Sequence, residues 1–278
     1  MRTRILWWMA PLAAAALTSC SKGPEPPRPG TPAFYWSAAK TAFHADDFVK
    51  TDEHLHQLIR GDNEFTARAR PWAIVLSSGM ARAYSDLAGY YDDGARANRG
   101  NPTPFRKQAS GLRSLSSASS LEFAEDVHGF LANDKSPNVV LALECPDGSA
   151  ALPAGLKKVT SGALIQESER DLLLSEMLQR SVLLSVARVV GSPDDTAQTL
   201  EKFKAGEVSV TRATFVYAVA KALFEQSDLF GGKMLDQPNR LKMMCQEALE
   251  ALQSIPETGD TKQLQGKIEA VLKRLKAT

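Results

Sequence analysis

Ser37 and Lys40 stand three residues apart in Ser37-Ala38-Ala39-Lys40. On a helix that spacing sets an amine one turn from a hydroxyl, where it could take the proton and leave a nucleophile. Four histidines follow, His44, His54, His56 and His128. His54 and His56 are two apart and point to opposed sides of a helix. Asp52 and His56 are four apart, share a face and would make half a metal site, with Asp46 and Asp47 nearby. No H-E-x-x-H and no C-x-x-C completes it, so the sequence assigns no metal and no cofactor. Trp72, Tyr84, Tyr90 and Tyr91 could line a ligand groove or fill a helix–helix core. Cys145 and Cys245 could be bridged in an oxidising compartment, or Cys245 could be a buried thiol beside Met244 and Ala248. There is no Gly-rich phosphate loop and no G-x-S-x-G.

The Ser37–Lys40 pair resembles the acylation motif of penicillin-binding proteins and β-lactamases, which implies a serine acyl-enzyme. Those families also carry S-D-N and K-T-G. This chain offers Ser85-Asp86-Leu87 and Lys40-Thr41-Ala42, neither of which matches, and lacks a signal for the strands that those enzymes use. A non-enzymatic protein is the expectation.

The N-terminus carries the sharpest motif. Arg2 and Arg4 precede an apolar run from Ile5 to Leu17, too short to span a bilayer but of signal-peptide length. Leu17-Thr18-Ser19-Cys20 then resembles the lipobox of bacterial lipoproteins. The resemblance implies removal of residues 1–19, lipid on Cys20 and attachment to the bacterial cell envelope. Ser21, rather than Asp, implies the periplasmic face of the outer membrane in a Gram-negative organism. Two or three acyl chains, at about 0.8 kcal/mol per buried methylene, anchor stably. Residues 20–33 form the lipidated cysteine and a tether. Its stretch Ser21–Pro32 has five prolines and two glycines in twelve residues, and reads as an extended spacer.

The elements behind the tether read as helices. Phe34–Ala45, Asp47–Ile59, Phe65–Asn98 and Phe105–Leu131 make a first half, 34–132. In the third stretch Trp72, Leu76, Met80, Ala83, Leu87 and Tyr90 share a face, and Ser77, Ser78, Gly79 and Ala81 are small enough for a close neighbour. Residues 133–163 are an irregular connection with a brief strand from Asn138 to Leu143. The second half, 164–278, opens with Leu164–Val190, apolar around most of its circumference. Glu176, Arg180 and Arg188 argue that it is a core helix and not a membrane span. Asp194 would cap a helix to Ala205. Thr211–Gln226, Pro238–Ser254 and Asp260–Lys276 complete the set, with Asp260 the expected last cap.

Paired helices joined by short turns predict an all-α fold, a helical-hairpin solenoid or bundle in one domain, 34–278. Trp36 and Trp72, 36 residues apart, lie near the 34-residue tetratricopeptide period. The chain thus resembles a divergent tetratricopeptide-like lipoprotein and, loosely, the helical lipoproteins associated with periplasmic solute transporters. A formal charge of +1, with near-balance once Arg2 and Arg4 are removed, gives no nucleic-acid footprint. The basic edge of the last helix, with Lys267 and Lys273, could meet anionic lipid or be a solvated face. The expected role is a lipid-anchored interaction scaffold or accessory subunit with an envelope protein partner; the alternative is a small-molecule-binding lipoprotein serving uptake.

Overall fold

The computed structural model describes residues 27–142, 145, 150–193, 195–204 and 206–276. The expected signal segment 1–19, Cys20 and the tether to residue 26 lie outside those residues. The protein is all-α, built of helical hairpins, with ten helices and one two-stranded sheet among the described residues.

Local chemistry sets the helix starts. α1 (Pro32–His44) begins where the Thr31 hydroxyl accepts from the Phe34 N–H at 3.3 Å. Pro32 takes the first helical position, where a missing N–H costs nothing. α2 (Phe48–Ile59) is capped by Asp47, whose Oδ1 accepts from the Lys50 N–H at 3.1 Å. α3 (Thr66–Ala97) and α4 (Thr103–Asn133) span 32 and 31 residues and return on one another through a short turn. Pro71 sits inside α3 as its sixth residue, where it withholds the donor that the Ala67 carbonyl would otherwise take. Serines at the middle of α4 bond across the seam: Ser116 Oγ donates to the Ala81 carbonyl at 2.8 Å.

The expected strand is present as β1 (Asn138–Leu141), with Val139 and Leu141 buried in strict alternation. α5 (Leu156–Thr160), α6 (Glu167–Val189) and α7 (Thr196–Lys204) follow. β2 (Val208–Thr211), which the sequence reading missed, then pairs antiparallel with β1, Asn138 opposite Thr211 and Leu141 opposite Val208. α8 (Arg212–Ser227), α9 (Pro238–Gln253) and α10 (Gly259–Lys276) complete the chain.

Several boundaries differ from expectation, three of them for a local reason. α6 begins at Glu167 and not Leu164, because Glu169 Oε2 reaches back to the Gln166 N–H at 3.0 Å. Leu164 and Leu172 are left about 60% exposed, so the apolar character of this stretch does not wrap around it. Asp194 lies outside the described residues, and Asp195 accepts from the Gln198 N–H at 2.8 Å. Thr258, and not Asp260, accepts from the Thr261 N–H. No helix among the described residues is long and apolar enough to cross a membrane.

Two apolar clusters form the core. One joins α1, α2 and α3 to the start of α4 and to Leu173–Val182 of α6. The other gathers Phe123–Phe130 of α4, Val186–Val190 of α6 and the helices α8 to α10. The segments 34–132 and 164–278 therefore do not hold separate cores, because α4 and α6 feed both. Helix lengths from 5 to 32 residues also mean that these hairpins are not equal repeats.

Thr211 tests how the sheet hands over to α8. Its Oγ1 accepts from the Thr214 N–H at 3.2 Å. Thr211→Ala is expected to cost about 1 kcal/mol in urea unfolding; an unchanged midpoint would show that the cap contributes nothing.

Candidate functional site

The helical spacing that buries α2 also buries a charge. Phe48, Thr51, Leu55 and Leu58 form the inward stripe, and Asp52 lies on it, only 6% exposed. His56 follows one turn later. The imidazole Nδ1 lies 3.0 Å from the Asp52 backbone carbonyl and 3.4 Å from its carboxylate Oδ2. A carbonyl only accepts, so Nδ1 carries a proton there.

The other half of the site comes from α4. Glu122 and Asp126, also four apart, share a face turned to α2. His56 Nε2 is 2.9 Å from Asp126 Oδ1 and 3.7 Å from Glu122 Oε1. α3 adds Ser77, whose hydroxyl sits 3.4 Å from Asp126 Oδ2 while donating more closely to the Ala73 carbonyl at 2.7 Å. Asp52, His56, Glu122 and Asp126 line a recess of about 510 Å³ that also takes in Arg60 and Arg70. Five carboxylates against two arginines and one imidazole leave it net negative.

Charge crowding sets the protonation states. Burial works against a charged His56, but its hydrogen bonds to Asp126 and Asp52, with their negative charge, outweigh it and push its pKa up to about 11. Burial raises Glu122 to about 7, helped by the Asp52 charge and opposed by His56. Burial also raises Asp126, against the pull of His56. Glu122 and Asp52 can each offer a carboxylate oxygen within 4.8 Å of the other, with His56 as close to both. Asp52 Oδ1 is buried and has no hydrogen-bond partner.

The residues singled out from sequence fall elsewhere. Trp72, Tyr84 and Tyr91 are at most 7% exposed in the first apolar cluster, and Tyr90 packs against it. The Trp72 ring meets Phe43 edge-on at 4.8 Å. The crevice beside it holds about 10 Å³, room for about one water molecule and not for a ligand, so the aromatic groove is corrected to packed core. Tyr91 alone reaches a shallow cleft, with Phe105 and Arg170. The Cys145–Cys245 bridge is not formed: Cys245 is a fully buried thiol 3.7 Å from Ser227 Oγ. Ser37 is exposed on α1, and Lys40 Nζ lies over the Trp36 ring at 5.7 Å. Ser85 and Asp86 are part of α3.

Of the sequence candidates, only Asp52 and His56 enter the recess. Glu122 and Asp126 were missed, since they look like the charged edge of an amphipathic helix. The available signal was the carboxylate standing on the apolar stripe of α2. Comparison with family models, with curated proteins and with solved structures finds no match to this chain.

Proposed function

We propose that this chain is a lipid-anchored envelope protein that binds rather than transforms its ligand, acting as an accessory subunit that receives a cationic group in the α2–α4 recess. The observation that carries the reading is the buried Asp52 carboxylate oxygen without a partner, inside a recess of net negative charge. A charge in that position calls for a compensating positive group. The anchor rests on the lipobox at Cys20 and on the proline-rich spacer behind it. The spacer separates lipid from fold and leaves the helical body available to a protein of the same membrane. Neither serine nor cysteine lines the recess, so no nucleophile of that kind stands in it.

Two measurements test this. Cys20→Ala is expected to abolish lipid labelling and to block processing or release the helical body from the membrane fraction; unaltered labelling and retention would refute the anchor. Spermidine, as a probe of positive charge, is expected to raise the melting temperature of the wild-type chain and not of Glu122→Gln. Equal responses from the two would remove the recess from the proposal.

The packed surroundings of Trp72 lend nothing to the alternative of solute uptake through an aromatic pocket.

A further inference from the structure

We infer that His56, Asp52 and Glu122, with Asp126 beside them, form a binding site for a divalent first-row transition-metal ion. This rests on reading the recess as a receptor for positive charge, and adds what that charge is.

Three observations converge. One ligand atom from each of Asp52, His56 and Glu122 can be chosen so that all lie within 4.8 Å of one another, a span that a single ion bridges. The imidazole is already held as a metal ligand is held: the Asp52 backbone carbonyl takes the Nδ1 proton at 3.0 Å, leaving Nε2 turned toward the Asp126 and Glu122 carboxylates. Finally, Asp52 Oδ1 is buried, unpartnered and on the wall of the recess. That oxygen has no donor among the protein groups around it. An ion held between the three side chains would supply its partner.

The scaffold suits the task. The donors come as two i, i+4 pairs, one on α2 and one on α4, and both helices are fixed in the apolar core around α3. One nitrogen among several carboxylate oxygens favours manganese, iron or zinc over magnesium or calcium, which take all-oxygen sets. Binding displaces the protons that the imidazole and carboxylates hold between them, so it releases acid. A second grouping, His128 with Glu247 and Glu250, also has a carboxylate oxygen without a hydrogen-bond partner, Glu247 Oε2, but its histidine is 65% exposed and no backbone carbonyl is shown holding the ring. It serves as the internal control.

The test is calorimetric titration of the full chain, stripped with chelator and dialysed, against Zn²⁺, Mg²⁺ and spermidine. The expected result is saturable binding of one Zn²⁺ per chain with proton release, and little heat from Mg²⁺. Glu122→Gln keeps the shape of a half-buried side chain, so its fold is expected to survive, as circular dichroism will check. It should weaken Zn²⁺ at least about tenfold, while His128→Ala leaves Zn²⁺ binding unchanged. Absence of Zn²⁺ binding to the wild type, or equal affinity in Glu122→Gln, overturns the metal site. Spermidine binding that depends on Glu122, without Zn²⁺ binding, would overturn the metal and keep the cationic recess. If neither binds, both fall.

Discussion

His56→Ala is expected to lower the unfolding free energy by about 3 kcal/mol near neutral pH in chelator-treated protein. The substitution removes the one cation that both buried carboxylates touch. Asp126 is left with a long contact to Ser77, and Asp52 with none for its Oδ1. The loss should shrink on acidification, as the carboxylates take up protons. The wild type should itself depend on pH. His56 is raised from 6.5 to about 11 in the fold, so its stabilisation is complete below 6.5 and drains away as pH rises toward 11. Glu122, raised from 4.5 to about 7, acts in the same direction: the fold resists its ionisation, and stability falls as pH climbs through that window. From pH 6.5 to pH 9 the wild type should lose on the order of 3 kcal/mol through His56, and His56→Ala should lose less. Urea midpoints in chelator at the two pH values decide this; a wild-type midpoint that does not move would mean that the imidazole is neutral in the native protein.

Gly79→Ala should destabilise by about 2 kcal/mol, even though alanine is the better helix former by about 1 kcal/mol. A β-carbon at position 79 would stand 2.8 Å from both Cα and Cγ2 of Val182 and 3.0 Å from its backbone nitrogen. Main chain cannot turn aside as a side-chain tip can, so α3 and α6 would have to part. Gly111→Ala supplies the opposite sign. Gly111 is exposed on α4, with nothing within 4 Å of an added β-carbon, and should gain up to about 1 kcal/mol. If both substitutions stabilise, the close crossing of α3 and α6 is not what the structure describes.

The contrast between Gly79 and Glu122 shows what was legible in the chain. The small residues Ser77, Ser78 and Gly79 announced near neighbours: α6 meets Gly79, while Ser77 reaches α4 and Ser78 reaches α8. Helices with a strong 3.6-residue period were likewise readable to within a few residues. Boundaries slipped where a cap competed with an apolar run, as at Leu164, which Glu169 excludes from α6. β2 escaped notice because four residues with little burial carry hardly any pattern of their own; the partner β1 supplies their reason to be extended. The recess was half visible. Asp52 and His56 are neighbours in sequence, but His56 and Asp126 are 70 residues apart, and nothing local in α4 distinguishes a carboxylate facing α2 from one facing water. The aromatic residues misled for the converse reason. Trp72 and the tyrosines carry groove chemistry and core chemistry equally, and packing density alone separates the two.

α6 has a consequence for how the chain can be divided. Its first half closes the cluster around α3, and its second half enters the cluster of α8 to α10. A chain ending near residue 133 would keep every residue of the recess and still present Leu76, Met80 and Leu87 to water where Leu173, Met177 and Val182 had covered them. The polar site and its supporting wall are thus encoded more than forty residues apart. Truncation aimed at isolating the recess would therefore leave an apolar face open to aggregation, and the site is carried intact only with α6 in place.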